Sequence, residues 1–196
     1  MLIYLLLNPE FNLIKMQIIL ENRFRDDICL LSVDGTDFQV PFHRRKWYSY
    51  KFNGLALRYE VALCIRTGWI CWINGPFLPG IWSDLEIFRS ELATCLEPNE
   101  QVEADYGYEG RLHLKSSMTI APERKAMMSR VGKGQETVNR RFKQWKFLKS
   151  VFRHDLTMHC RVFSAIVVIT QLAIELAIEN GEPLFQVDYD DNLDEE

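Results

Sequence analysis

Three acidic residues are the side chains of this chain best suited to do chemistry. Asp34 and Asp105 each follow a short run typical of a buried strand, and Glu136 stands near the start of a segment with helical spacing. Mg²⁺ prefers carboxylate oxygens, and two such ions about 3.5–4 Å apart promote in-line displacement at phosphorus. These residue types therefore predict a phosphoryl-transfer site that holds two divalent ions, Mg²⁺ or Mn²⁺.

Each acid also has an ordinary structural explanation. Asp34 stands directly before Gly35, and Asp105 stands two residues before Gly107. Aspartate close to glycine is a common turn signal, so both can be explained as turn residues after strands. Glu136 precedes Arg140 by four residues and Lys143 by seven, the spacing of neighbours on one helix face. Spacing alone leaves both interpretations open.

Hydrophobic spacing and turn residues predict the elements that position these acids. Strands are expected at 28–33, 57–65, 69–73 and 101–105; the first ends in a turn at 34–37, and the middle two form a hairpin. Residues 75–80 are predicted to form a loop, and residues 110–134 have no clear pattern. Helices are expected at 83–96, capped by Ser83, at 135–152, and at 163–178, where Gly181 stops the last one. The pattern predicts one α/β domain.

Composition and charge are typical of a folded protein that binds a polyanion. The chain has 196 residues, 47% of them hydrophobic, which is enough for one domain and argues against disorder. The net charge of −4 hides a segregation: residues 124–154 carry ten basic residues and one acid, whereas residues 175–196 carry nine acids and no Lys or Arg. The basic block is a candidate phosphate-binding surface, and a solvated helix face explains it equally well.

The remaining features point to a reduced intracellular protein. The five cysteines are odd in number and scattered without a CxxC pair, which is typical of thiols kept reduced. The apolar opening MLIYLLL is too short to cross a bilayer, so no membrane association is predicted. A zinc site at His154 and His159 is disfavoured, because their spacing places the two rings on different helix faces and no cysteine lies close in sequence.

The order of several short motifs resembles the catalytic domain of Harbinger/PIF-type DDE transposases, the DDE superfamily endonucleases. The matching segments run from residue 32 to residue 191 and include Ser32-Val33-Asp34-Gly35-Thr36, Tyr59-Glu60-Val61, Gly75-Pro76-Phe77, Ala104-Asp105-Tyr106-Gly107-Tyr108, Glu136-Thr137-Val138-Asn139-Arg140, Phe152-Arg153-His154 and Gly181-Glu182-Pro183-Leu184-Phe185.

The resemblance implies a fold, a site and an activity. It implies an RNase H-like mixed sheet flanked by helices, with the Asp34 strand central and the Asp105 strand parallel beside it. Asp34, Asp105 and Glu136 become the catalytic metal ligands, and Asp84 becomes an accessory ligand. The implied activity is that of a nuclear endonuclease and DNA strand transferase. Phosphates would be met by Arg140, Arg141, Lys143 and Lys46.

The resemblance also implies domain bounds and partners. Residues 1–27 are expected to be a lead-in, residues 28–187 the catalytic domain, and residues 188–196 an acidic tail. Family members carry a helical region before the first aspartate, whereas 33 residues precede Asp34. We therefore expect DNA recognition to involve a separate Myb-like protein, with a homo-oligomer as a further expected assembly. A truncated or domesticated remnant that binds DNA or protein without catalysis is the alternative.

Overall fold

The computed structural model describes residues 29–41, 44–65, 67–96, 101–105, 108, 114–115 and 122–181. They form a mixed α/β arrangement in which helices flank a curled mixed sheet. The strands are β1 (Cys29–Gln39), β2 (Tyr48–Ser49), β3 (Gly54–Cys64), β4 (Ile70–Phe77), β5 (Gln101–Ala104) and β6 (Leu114–Lys115). The α-helices are α1 (Asp84–Ser90), α2 (Pro122–Phe142), α3 (Lys146–Lys149) and α4 (Thr157–Glu179), with 3₁₀ turns at Arg45–Trp47 and Leu92–Cys95.

Strand β1 is central in the sheet. It pairs antiparallel with β3 along its whole described register and parallel with the shorter β5, which in turn pairs parallel with β6. Strands β2 and β4 both pair antiparallel with β3. The predicted hairpin of β3 and β4 is confirmed, and so is the parallel placement of the strand before Asp105.

The predicted turn at residues 34–37 is wrong, because β1 continues through these residues to Gln39. Strand β3 is long enough to supply partners over this stretch, from Asp34 opposite Val61 to Gln39 opposite Ala56. Long-range pairing with a neighbouring strand therefore overrides the local turn signal of Asp-Gly. The loop predicted from Gly75 likewise begins later, since β4 runs to Phe77 through a cis peptide between Gly75 and Pro76.

The two faces of the sheet carry separate apolar cores. Alternating β3 residues such as Tyr59 and Val61 pack with Phe142 of α2 and Phe163 of α4. The other face joins β1, β3 and β5 to Phe88 of α1. This alternation follows from the two-residue period of side chains along a strand, and it places the even-numbered residues of β1 toward α2 and α4.

Helix α1 begins as the sequence predicts and ends earlier. Ser83 accepts from the Glu86 amide while the Glu86 carboxylate accepts from the Ser83 amide, a reciprocal capping box. The helix ends at Ser90, and the next turn is a 3₁₀ turn. The cap fixes the direction in which the first helical residue, Asp84, enters the sheet region.

The single helix predicted over 135–152 is instead two helices. Helix α2 ends at Phe142, and α3 starts at Lys146. The Phe152 amide donates to the Gln39 carbonyl at 2.9 Å, and this contact with the end of β1 requires the chain to leave the helix first. Leu148 and Phe152 still enter the core, so the apolar spacing is retained in a different backbone.

Helix α4 confirms the predicted last helix with an earlier start. It is long and apolar enough by length and composition to cross a membrane, with 44% of its most apolar window buried. Core residues such as Phe163, Val167 and Ile174 account for much of its hydropathy. Gly181 follows it at φ 73°, as expected of a helix stop. The predicted lead-in at residues 1–27 and acidic tail at residues 188–196 lie outside the described residues.

Candidate active site

Asp34 lies on the central strand and meets two side chains from other elements. Its Oδ1 is 2.6 Å from the Lys51 ammonium, and its Oδ2 accepts a hydrogen bond from Asn139 Nδ2 at 3.1 Å. The Asp34 side chain is 22% exposed, so the carboxylate is accessible from solvent. Helix α2 and the turn after β2 thus converge on this carboxylate.

Lys51 is the cation of the site. Its ammonium also donates to the Gly35 carbonyl at 3.0 Å, while 46% of its side chain remains exposed. Burial lowers the pKa of Lys51, but the nearby carboxylates, Asp34 most strongly and then Asp84 and Asp105, raise it above its usual value overall. One ammonium therefore interacts electrostatically with three of the acidic residues singled out from the sequence.

Asp84 lies across Gly35 and is held by an arginine. Arg58 binds both oxygens of Asp37, at 2.7 and 2.8 Å, and its Nη1 is 2.9 Å from Asp84 Oδ1. A Cβ atom at Gly35 would collide with the Asp84 carboxylate, so only glycine allows this approach. Burial raises the pKa of Asp84 despite the opposing effect of Arg58 and Lys51.

Asp105 is the first residue after β5 and is exposed. The parallel register pairs Val33 with Ala104, so Asp34 and Asp105 are each one residue beyond the same pair. The sequence prediction that two neighbouring parallel strands deliver aspartates to one level of the sheet is consistent with this register.

Glu136 points away from Asp34. Its side chain is 69% exposed and its Oε1 is 3.0 Å from Arg140 Nη2, the intrahelical pair that the spacing allowed. Asn139 contacts Asp34 instead, and Gln135 anchors α2 by donating to the Ser32 carbonyl at 2.7 Å. Three helical residues correspond to a displacement of about 60° around the helix and about 4.5 Å along it. The three aspartates are therefore related through their electrostatic effect on Lys51, whereas Glu136 is paired with Arg140 at the exposed surface of α2.

A layer of buried polar groups lies on the α1 face of the sheet. Glu60 is 1% exposed and accepts from Trp72 Nε1 at 3.1 Å. Burial raises its pKa to about 8, against the opposing effect of the Trp72 hydrogen bond. Burial also raises the pKa of Tyr108 well above its usual value, with Glu60, Asp84 and Asp34 adding to the effect. Glu60 and Tyr108 in the interior therefore interact electrostatically with Asp84, and Tyr108 also with Asp34.

The predicted phosphate-binding residues all lie outside this cluster. Arg140 is 69% exposed and occupied by Glu136, while Arg141 and Lys143 are partly exposed around the end of α2. Lys46 is exposed on the 3₁₀ turn before β2. The four are accessible to a ligand, and no described contact assigns them one.

His159 has a structural role. Its Nδ1 is 2.8 Å from the Tyr59 hydroxyl, its ring stacks on that tyrosine, and it is fully buried. Burial lowers its pKa to about 4, so the ring is neutral at physiological pH. His154 precedes α4 whereas His159 lies within it, so the helical-spacing argument against a zinc site at these two residues does not apply.

The donor set suits a divalent cation in chemistry and only partly in geometry. Asp34, Asp84 and Asp105 offer hard oxygen donors, although Asp84 Oδ1 already has Arg58 Nη1 at 2.9 Å. No group of three or more His, Cys, Asp or Glu side chains within the described ranges is arranged to hold a metal ion. Lys51 and Arg58 balance these carboxylates instead.

Sequence reasoning missed Lys51, Arg58 and Asn139. Arg58 and Glu60 carried a signal, since two charged residues two positions apart interrupt an otherwise apolar strand and so share one face. Asn139 stands one turn after Glu136, where only the rotation of α2 decides which side chain faces the sheet. Lys51 carried no signal, because it comes from a turn 17 residues from its partner.

Comparison with known proteins identifies no relative. No protein-family model, no curated protein and no solved structure matches the chain.

Proposed function

We propose that this chain is a transposase-derived, divalent-metal-dependent endonuclease and DNA strand transferase with an RNase H-like fold. One observation carries the proposal: the parallel register sets Asp34 and Asp105 at one level, and both, together with Asp84, act on the Lys51 ammonium. These carboxylates supply the hard oxygen donors that a divalent ion would use in place of the ammonium.

The strand arrangement supports the finer fold assignment. Strand β1 carries the first aspartate, pairs antiparallel with β3 and parallel with β5, and β5 leads directly to the second aspartate. This is the arrangement that the resemblance to DDE transposases implies. The flanking helices lie on both faces of the sheet, as that fold also requires.

Each residue of the proposed site has a different role. Asp34, Asp105 and Asp84 would hold the ions, which when bound activate the attacking oxygen and stabilise the leaving oxygen of a phosphodiester. Arg58 fixes Asp84 through its bidentate pair with Asp37. Asn139 orients Asp34 from α2. Glu136, the third acid of the resemblance, would have to leave Arg140 before it reached the site.

Lys51 gives the site a resting form. Its ammonium contributes the positive charge that otherwise comes from a divalent ion, and its exposed stem allows it to move out. A cation that binds the three carboxylates therefore competes with Lys51 for Asp34. The ammonium would keep the acids stable before metal and DNA arrive.

The same ion pairs favour a second candidate function, a remnant that binds DNA or protein without catalysis. In that case Lys51 and Arg58 are permanent partners of the acids, and the outward orientation of Glu136 is its only state. DNA is the proposed partner of the nuclease, and DNA or protein that of the remnant. The Myb-like partner, the homo-oligomer, the absence of membrane association and the nuclear location stay predictions.

Nicking of supercoiled plasmid DNA separates the two functions. With Mn²⁺, the wild type should convert supercoiled DNA to the relaxed form, and Asp105→Asn should lose this activity because a ligand charge is gone. Glu179→Gln, at the exposed end of α4, is the matched control and should nick like the wild type. Equal activity of Asp105→Asn and wild type would contradict the proposed site, and metal-independent DNA binding without nicking would favour the remnant.

A further inference from the structure

A groove of about 550 Å³ lies between α3 and the segment that follows it. Its lining includes Lys146, Phe147, Phe152, Arg153 and His154. None of the residues that line it is acidic. The groove therefore combines aromatic and cationic groups without a carboxylate.

The aromatic part of the groove is open to solvent. Phe147 is 52% exposed, and its ring centroid is 5.6 Å from that of His154. The ring centroid of His154 is also 5.4 Å from that of Phe152, which is 2% exposed and belongs to the hydrophobic core. A half-exposed phenylalanine on such a support presents a ring face on which a planar group can stack.

The charges around the groove suit a phosphate backbone. Lys146 and Arg153 line it and are exposed, and Lys149 lies on the same short helix. From residue 137 to residue 154 the chain carries six Lys or Arg residues and no acid. Aromatic rings interleaved with cations are what single-stranded nucleic acid requires, because each base has a face to stack and each nucleotide a charge to neutralise.

The groove is joined to the strand that carries Asp34. The Phe152 amide donates to the carbonyl of Gln39, and Gln39 follows Asp34 by five residues on β1. Five strand residues span roughly 17 Å.

We propose that this groove binds a single-stranded segment of DNA. Bases stack on Phe147 and His154, and phosphates meet Lys146 and Arg153. The choice of DNA rests on the proposed function, whereas the stacking and the charges stand without it.

The test is binding of the full chain to a fluorescein-labelled 15-nucleotide single strand, followed by fluorescence anisotropy in EDTA. Phe147→Ala should weaken binding about tenfold, because it removes the ring on which one base stacks. Phe147→Trp should bind within about twofold of the wild type, since it keeps a stacking face. Trp82→Ala, an exposed aromatic outside the groove, is the matched control and should bind like the wild type.

The cations have a separate readout. The double substitution of Lys146 and Arg153 by alanine should reduce the slope of log affinity against log salt by about 0.7 for each phosphate that is no longer neutralised. Lys133→Ala, an exposed lysine of α2 outside the groove, is the control. An unchanged slope in the double variant would remove these two residues from the binding site.

Several outcomes overturn the proposal. The first is equal affinity of Phe147→Ala and the wild type for the single strand. The second is an equal loss of affinity in Phe147→Ala and Phe147→Trp. The third is Phe147-dependent binding to RNA, duplex DNA or anionic vesicles that is tighter than binding to the single strand. The binding assay contains EDTA and no metal, whereas nicking needs Mn²⁺, so the two proposals are tested independently. If binding depends on Phe147 but no nicking occurs, the groove proposal stands and the proposed nuclease function fails. If nicking occurs and Phe147→Ala binds like the wild type, only the groove proposal fails.

Discussion

Replacement of Lys51 by methionine tests whether this residue holds the place of a metal ion. Methionine keeps most of the stem and removes the ammonium, which lies 2.6 Å from Asp34 Oδ1 and 3.0 Å from the Gly35 carbonyl. The lysine side chain is 46% exposed, so solvent screens the pair and its net contribution is about 1 kcal/mol, the upper end for exposed pairs. A divalent ion no longer has to displace that interaction in the variant.

The expected result is tighter binding of metal. Since about 1.4 kcal/mol corresponds to a tenfold change in Kd, loss of about 1 kcal/mol of competition should lower the Kd for Mn²⁺ roughly fivefold. Isothermal titration at low ionic strength measures this directly. Lys149→Met, an exposed lysine on α3, is the matched control and should bind Mn²⁺ like the wild type. Unchanged or weaker binding by Lys51→Met would refute the idea that the ammonium and the ion compete.

Further substitutions probe the rest of the site. Asn139→Asp should tighten Mn²⁺ binding in titration because it adds a carboxylate beside the first aspartate, whereas Glu136→Gln, exposed and paired elsewhere, should change the Kd less than about twofold. Gly35→Ala should lower the free energy of unfolding by about 1–3 kcal/mol in urea titration, because its Cβ collides with Asp84. Glu60→Gln should be more stable than the wild type at pH 8 and equally stable near pH 5.

The direction of the Glu60 effect follows from proton linkage. The pKa of Glu60 is about 8 in the folded chain against 4.5 in the unfolded chain, so the native state binds the extra proton. Stability is therefore lost as pH rises from about 4.5 to 8, by up to about 1.4 kcal/mol per pH unit. Glutamine does not titrate and should flatten this slope. An equal decline with pH in both proteins would show that Glu60 is not the responsible group.

The substitutions at Glu136 and Gly35 can fail in equally definite ways. Tenfold weaker Mn²⁺ binding by Glu136→Gln would mean that α2 turns to bring this glutamate inward. Wild-type stability and metal binding in Gly35→Ala would mean that Asp84 does not approach the strand closely.

Local signals in the sequence sufficed for elements whose ends are set by nearby residues. Contacts within a few residues determine the Ser83 cap, the stop at Gly181 and the hairpin of β3 and β4, so the local sequence predicts them. The strand before Asp105 was equally readable, because its apolar run ends at Ala104. The placement of the two aspartates on neighbouring parallel strands, by contrast, came from the resemblance to DDE transposases and from no local signal.

Long-range contacts decided what local signals missed. Asp-Gly at residues 34 and 35 favours a turn locally, and only the register with β3 shows that the strand continues. The break after Phe142 depends on the hydrogen bond of Phe152 with Gln39, a residue far away in the chain. Lys51 joins the site for the same reason, since no sequence pattern links a turn lysine to a strand aspartate.

Thermal unfolding with and without Mn²⁺ tests the central claim, a divalent-metal site built on Asp34, most directly. Ligand at about 100 times its Kd stabilises the native state by about 2.7 kcal/mol, which raises the Tm of a chain of this size by about 5–10 °C. We expect this rise for the wild type and for Glu179→Gln, and its loss in Asp34→Asn. No rise in the folded wild type, or an equal rise in Asp34→Asn, would contradict it.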